Sequence, residues 1–296
     1  MIVHDRQQTL QIVHKGSCLG AELEGVELTQ PIDDATFGQI ERAFYDESVI
    51  VFRNQNISEE QHIVFSRRFG PLEVHVSGAR YLHPKHPEIR INSNIVENGR
   101  PIGATDAGQY WHTDLSYMAE PSKCSLLYAV EVPMRGGKPL GDTVFVSVSA
   151  AYDALPADMK ARLEGLKAIH SYEYRYYKLT DAGKQRPPLT AEQKARAPDV
   201  VHPVVITHPY TRRKCLFVNE GFTTHIVDMS EGESRGLLDE LFTHMKKSEF
   251  MYRHQWAVGD LLVWDNLSTQ HFAVADYALP LRRKMQRTTV TGTALH

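Results

Sequence analysis

Hydrophobic and polar positions along the chain fall mostly into short runs, and only four stretches repeat at the period of a surface helix. Ser58 with Gln61 reads as a capping box behind the staple residue Ile57, predicting a helix that runs to Arg68 and stops at Gly70. Ser230 and Glu233 repeat the device, and Leu237, Leu238, Leu241, Phe242 and Met245 fall on one face behind them. Two more helices are predicted over 34–46 and, in two pieces around Pro156, over 149–165. The other apolar runs are strand-like and bounded by Gly, Pro, Asn or Asp: 48–53, 88–92, 124–132, 143–148, 200–207, 214–219, 250–256, 260–264 and 287–293. Many short strands with few helices predict a mainly β fold with flanking helices, a double-stranded β-helix or jelly roll. No repeat or Ser/Gly linker divides the chain, so 1–296 reads as one domain, with long lid-like loops near 75–109 and 172–199.

Composition narrows the function classes. The chain has 296 residues, 42% of them hydrophobic, and a net charge of −3 without a basic block, which argues against nucleic-acid binding. No apolar run is long enough to span a membrane, and the first residues lack the blocks of a signal peptide. Three scattered cysteines (Cys18, Cys124, Cys215) form no CxxC pair, so a reducing cytoplasm is the expected setting. No GxGxxG or GxxxxGK[ST] occurs. Histidine stands out, with 15 residues.

Among these, His112 and Asp114 in Trp111-His-Thr-Asp would point the same way from an extended segment and reach one metal ion. A third ligand is needed, and His271 follows the apolar strand that ends at Val263-Trp-Asp-Asn. Two histidines and one carboxylate make the facial triad of non-heme Fe(II), although a hydrolytic zinc uses the same residue types. Arg282, Arg283 and Arg287 lie beyond it, and an arginine there could pair bidentately with the far carboxylate of a dicarboxylic co-substrate.

With these motifs in place the chain resembles the taurine dioxygenase and 2,4-dichlorophenoxyacetate dioxygenase family of Fe(II)- and 2-oxoglutarate-dependent oxygenases. The likeness runs from Leu19-Gly-Ala-Glu-Leu-Glu-Gly through Phe65-Ser-Arg-Arg-Phe-Gly-Pro-Leu and Trp111-His-Thr-Asp. It continues in Ala151-Tyr-Asp-Ala-Leu, Val218-Asn-Glu-Gly-Phe-Thr-Thr, Gly259-Asp-Leu-Leu-Val-Trp-Asp-Asn and Thr269-Gln-His. The resemblance implies His112, Asp114 and His271 as iron ligands, with 2-oxoglutarate and O2 as co-substrates. It implies Arg283 and Thr143 as the grip on the 5-carboxylate. The family usually reads Gly-Gly-Asp-Thr, whereas here Lys138-Pro-Leu-Gly separates Gly136-Gly137 from Asp142-Thr143. It further implies decarboxylation to succinate coupled to hydroxylation, in a homo-oligomer (dimer or tetramer). Related halogenases carry a small residue where Asp114 stands, so halogenation is disfavoured.

For the substrate, the resemblance places His75 and Arg287 at an anion clamp and Phe222 at an apolar wall. The first expectation is a small anionic substrate, a sulfonate such as taurine, released as sulfite and an aldehyde. An aryloxyalkanoate, a phosphonate or a biosynthetic amino-carboxylate is the alternative, and a non-catalytic metal-binding jelly roll the distant one. The alternative for Arg287 is a structural ion pair with a carboxylate within a β-strand. Tyr172, Tyr174, Tyr176 and Tyr177 either line a larger pocket or anchor a solvated loop, and the remaining histidines read as structural.

Overall fold

The structure is a computed structural model that describes residues 10–74, 81–105, 108–181 and 188–295. A seven-stranded sheet runs in the order Gln11–His14, Ala21–Glu24, Val49–Phe52, Leu261–Asp265, Cys124–Glu131, Lys284–Val290 and Arg90–Ser93. A three-stranded sheet of Met251–His254, Thr143–Ser147 and Thr269–Ala273 faces it. Side-chain alternation divides each strand between two cores. Val49, Val51, Leu262 and Trp264 pack between the sheets with Phe145 and Tyr252 from the smaller one. Ile50, Phe52, Leu261 and Val263 turn the other way, onto Phe37, Ile40, Phe44 and Phe65 of two covering helices. These strands are buried on both faces, which is why they read as unbroken apolar runs.

Those helices are Asp34–Glu47 and Glu59–Arg67; Ser58 and Gln61 close the expected capping box on the second. Ser230 and Glu233 do the same for Glu231–Met245, which packs with Val148–Asp153 over the smaller sheet. The two-piece segment around Pro156 is also as expected, Val148–Asp153 then Ala157–Leu163. The run 200–207 is split at Pro203, giving Val200–Pro203 and Val205–Thr207 in different sheets. The stretch 172–199, read as a loop, holds helices Tyr172–Asp181 and Ala191–Arg196. A Thr190–Gln193 capping box opens the second, the same signal as at Ser58. The stretch 75–109 carries, in its described part, strand Arg90–Ser93 and a short ribbon of Val96–Glu97 with Arg100–Pro101. Among the described residues no helix is long and apolar enough to cross a membrane.

The interruption before Asp142 has a local cause. Met134–Arg135 and Lys138–Pro139 pair as a hairpin whose turn is Gly136-Gly137, both at positive φ (57° and 77°). Gly141, also at positive φ, then stands directly before Asp142-Thr143.

Two histidines outside the candidate site set a pH dependence. His62 is enclosed beneath the large sheet, its Nε2 3.3 Å from Thr288 Oγ1, and His170 is enclosed beside His202 and Phe217. Burial pushes His62 down to about 4 and His170 down to about 3, from an ordinary 6.5. Below that ordinary value the unfolded chain takes up protons that the folded chain refuses, so this stability is complete above about pH 6.5 and is lost on acidification. Thermal melts between pH 6.5 and 5, above the carboxylate range, are expected to show falling stability, and His62→Gln to flatten the slope. A flat wild-type profile over that window contradicts the assignment.

Candidate functional site

His112 lies just outside the regular strands and is tied to His271, on Thr269–Ala273, by a two-way backbone bridge (His112 N to His271 O 3.2 Å, His271 N to His112 O 2.9 Å). That bridge puts the imidazoles 4.1 Å apart between ring centres. Asp114, two residues on, projects to the same side, as the extended reading required. Its Oδ1 is 3.6 Å from His112 Nε2, and one ligand atom from each of His112, Asp114 and His271 lies within 4.8 Å of the others. All three side chains are buried.

The surroundings fix their chemistry. His112 Nδ1 donates to the Tyr110 carbonyl at 2.8 Å, which fixes the ring with Nε2 on the Asp114 side. Ser125 Oγ donates to Asp114 Oδ2 at 2.7 Å, and Asn266 Nδ2 donates to Ser125 Oγ and Ser122 Oγ. Trp264 Nε1 in turn donates to Asn266 Oδ1, and the Trp264 ring lies 4.9 Å from His271. Burial pushes the Asp114 carboxyl up, but the Arg287 charge and the two imidazoles outweigh it and hold it well below the usual carboxylate range. Burial and the neighbouring His112 hold His271 well below the usual imidazole value, so it is neutral. A deprotonated acid beside two imidazoles is the kind of donor set a divalent metal requires. His271 Nδ1 is buried with no hydrogen-bond partner, and Asp114 Oδ1 already faces a cation. These residues fit a hard divalent ion of the Fe(II) class.

Arg287 reaches into this cluster from Lys284–Val290, its Nη1 2.7 Å from Asp114 Oδ1. The sequence suggested an anion clamp or a strand ion pair, and here the arginine pairs with Asp114. Arg283 lies on the loop just before the strand, while its neighbour Arg282 points outward to a two-point pair with Glu131. Arg283 is buried; among the described residues its Nε lacks a hydrogen-bond partner, and its Nη2 donates to the Gly141 carbonyl at 3.5 Å. Burial lowers its guanidinium from the ordinary range, and Tyr277 is the neighbour that favours the charged form. A Cβ on Gly141 would stand 3.0 Å from Arg283 Nε and 2.8 Å from Tyr277, so glycine is required at that turn. Thr143 Oγ1 accepts from Trp256 Nε1 at 3.0 Å, which leaves its own proton available to another acceptor.

Phe222 is buried, its ring 6.2 Å from that of His112, in a wall that continues through Tyr117 (4.7 Å) to Tyr172 (5.0 Å). Asn219 shapes this turn: its Oδ1 accepts from Phe222 N and its Nδ2 donates to Ser116 Oγ. Tyr110 lies 4.6 Å from His112, and the Arg175 guanidinium covers the Tyr110 ring at 3.4 Å. Tyr172 and Arg175 come from the helix in the stretch read as a loop, so of the four tyrosines there Tyr172 lines the wall. His75 lies outside the described residues. Sequence reading missed Ser125, Asn266, Tyr110, Tyr117, Arg90 and Arg175. The Trp-Asp-Asn run marked Asn266, but neither spacing nor motif pointed to the others.

Comparison with known proteins agrees with this geometry. A family model described as taurine catabolism dioxygenase TauD, TfdA family, matches residues 9–289. The chain is 36% identical over 287 residues to an α-ketoglutarate-dependent 2,4-dichlorophenoxyacetate dioxygenase of Cupriavidus pinatubonensis, covering 93% of this chain and 95% of that protein. It is 36% identical over 285 residues to a pentalenolactone F synthase of Streptomyces arenae, covering 93% of each. A crystal structure of a taurine dioxygenase from Burkholderia xenovorans superposes with a TM-score of 0.79 at 30% identity, covering 97% of this chain and 90% of that one. The chain therefore belongs to the TauD/TfdA family, and is a jelly-roll dioxygenase dependent on Fe(II), 2-oxoglutarate (α-ketoglutarate) and O2.

Proposed function

We propose that this dioxygenase hydroxylates a small organic anion that has an apolar body and no ammonium group. The observation that carries the reading is a charge imbalance beside an aromatic wall. Arg287 and Arg175 stand next to the candidate metal site, and the carboxylate acting on Arg90, Tyr110 and Tyr117 is in each case Asp114. A substrate anion suits that field, whereas the ammonium of a zwitterion such as taurine meets guanidinium groups. The wall of Phe222, Tyr117, Tyr172 and Tyr110 favours an aromatic or aliphatic body through burial and edge contacts. Aryloxyalkanoates and amine-free sulfonates meet both conditions, and the likeness to the 2,4-dichlorophenoxyacetate dioxygenase supports the first.

In this reading His112, Asp114 and His271 hold the iron, and Arg283 with Thr143 receives the 5-carboxylate of 2-oxoglutarate. When bound, the iron and co-substrate supply oxygen activation, with loss of CO2 and formation of succinate. The protein supplies position and environment. The Tyr110 carbonyl orients the His112 ring, and Ser125 engages Asp114 Oδ2 and holds that carboxylate in place. Trp256 orients the Thr143 hydroxyl toward the co-substrate, and the aromatic wall excludes water from the substrate side.

Succinate release with Fe(II), ascorbate and 2-oxoglutarate, measured against a panel, tests the substrate class. Phenoxyacetate or an amine-free alkanesulfonate is expected to stimulate release at least about tenfold more than taurine. Strong taurine-dependent succinate with matching sulfite overturns this and returns the zwitterionic sulfonate.

A further inference from the structure

We propose that Arg90 is a specificity-determining residue, forming with Arg287 a two-guanidinium seat for the carboxylate or sulfonate head group of the substrate. The proposal rests on the reading of the site as one for organic anions, and adds a residue that no motif marks.

Arg90 opens the edge strand Arg90–Ser93, and the ladder sets it directly opposite Arg287. Directly opposed residues of an antiparallel pair project to the same face, with their Cβ atoms roughly 5 Å apart. Arg287 projects into the barrel, where it reaches Asp114, so Arg90 enters the same space. Its flanking neighbours Ile89 and Ile91 are core residues, and its Nε is sealed from solvent. Arg90 feels Arg287, Asp114, Tyr117 and Tyr172, so it spans the gap between the candidate metal site and the aromatic wall.

Opposed like charges in a strand pair are unfavourable, and more so out of water. Asp114 pairs with Arg287 at 2.7 Å, and its charge also acts on Arg90. An anion between the two arginines would offset the repulsion that their opposed register creates. Two planar forks facing one another match the oxygens of a carboxylate or sulfonate. An anion seated there places its body along Tyr117 and Tyr172, toward His112.

The test is calorimetric titration of phenoxyacetate, benzenesulfonate and uncharged phenoxyacetamide into protein loaded with Mn(II) and N-oxalylglycine. Wild type is expected to bind both anions at least about tenfold more tightly than the amide. Arg90→Met is expected to lose that preference, weakening both anions at least about tenfold and the amide less than about threefold, while Arg90→Lys retains part of it. Melting curves confirm that each variant is folded, and Arg90→Lys carries the test if the methionine variant is not. An Arg90 variant that keeps the full preference, a wild type that shows none, or equal weakening of anion and amide overturns the proposal. Succinate release is scored separately: its absence in wild type sinks the oxygenase reading and leaves the anion titration interpretable.

Discussion

Asp114→Ala is expected to lower Fe(II)-dependent succinate release to below about 1% of wild type. Changing groups that merely support a metal ligand costs about 10–100-fold, and this substitution removes a ligand outright. It also strips Arg287 of the carboxylate 2.7 Å from its Nη1, in a pair where both side chains are more than nine-tenths buried. Breaking a buried pair from one side costs about 3–5 kcal/mol, because the remaining charge stays out of water. The variant is therefore expected to melt well below wild type in the absence of metal. Asp114→Asn keeps the shape and the Ser125 contact, so it is expected to recover part of the stability and little of the activity. Melting curves and initial rates on both variants separate the two effects. A fully active Asp114→Ala protein contradicts the assignment.

Arg283→Met is expected to raise the KM for 2-oxoglutarate about 100-fold, with a smaller change in kcat. The guanidinium is buried, with Tyr277 and a long contact to the Gly141 carbonyl beside it and no carboxylate pairing with it among the described residues. Such a cation is expensive to keep without an anion, and a charge-assisted bond to a carboxylate is worth roughly 1.5–3 kcal/mol. The adjacent Arg282 is the control: it is exposed, pairs with Glu131 at the rim, and its replacement is expected to leave the KM within about twofold. Steady-state rates against 2-oxoglutarate check both. Equal effects at the two positions contradict the division between them.

Much of the architecture was legible because its determinants are local. Capping boxes at Ser58 and Ser230 marked helix starts, and apolar runs such as Val49–Phe52 and Leu261–Asp265 marked strands buried on both faces. The helices at Tyr172–Asp181 and Ala191–Arg196 were obscured by tyrosines and charges, and the Thr190–Gln193 box was overlooked. The His-x-Asp pair was readable because alternation alone puts both side chains on one side. Its partner His271 was named from its place after the Trp-Asp-Asn strand, but its approach to His112 depends on the backbone bridge between them, which no local pattern encodes.

The rest of the site was hidden for the same reason. Arg90 stands opposite Arg287 because strands far apart in sequence are neighbours in the sheet, and Ser125 reaches Asp114 from yet another strand. Arg287 itself carried two readings. Sequence supplied the guanidinium but not its distance from Asp114, which the strand pairing sets.

The central claim is that His112, Asp114 and His271 form one metal site. Its most direct measurement is titration of Mn(II), a redox-stable stand-in for Fe(II), into chelator-stripped protein, comparing wild type with His271→Ala. The account predicts one ion per chain in wild type, and affinity at least about 100-fold weaker in the variant. Unchanged binding in a folded His271→Ala protein, or no binding in wild type, contradicts it.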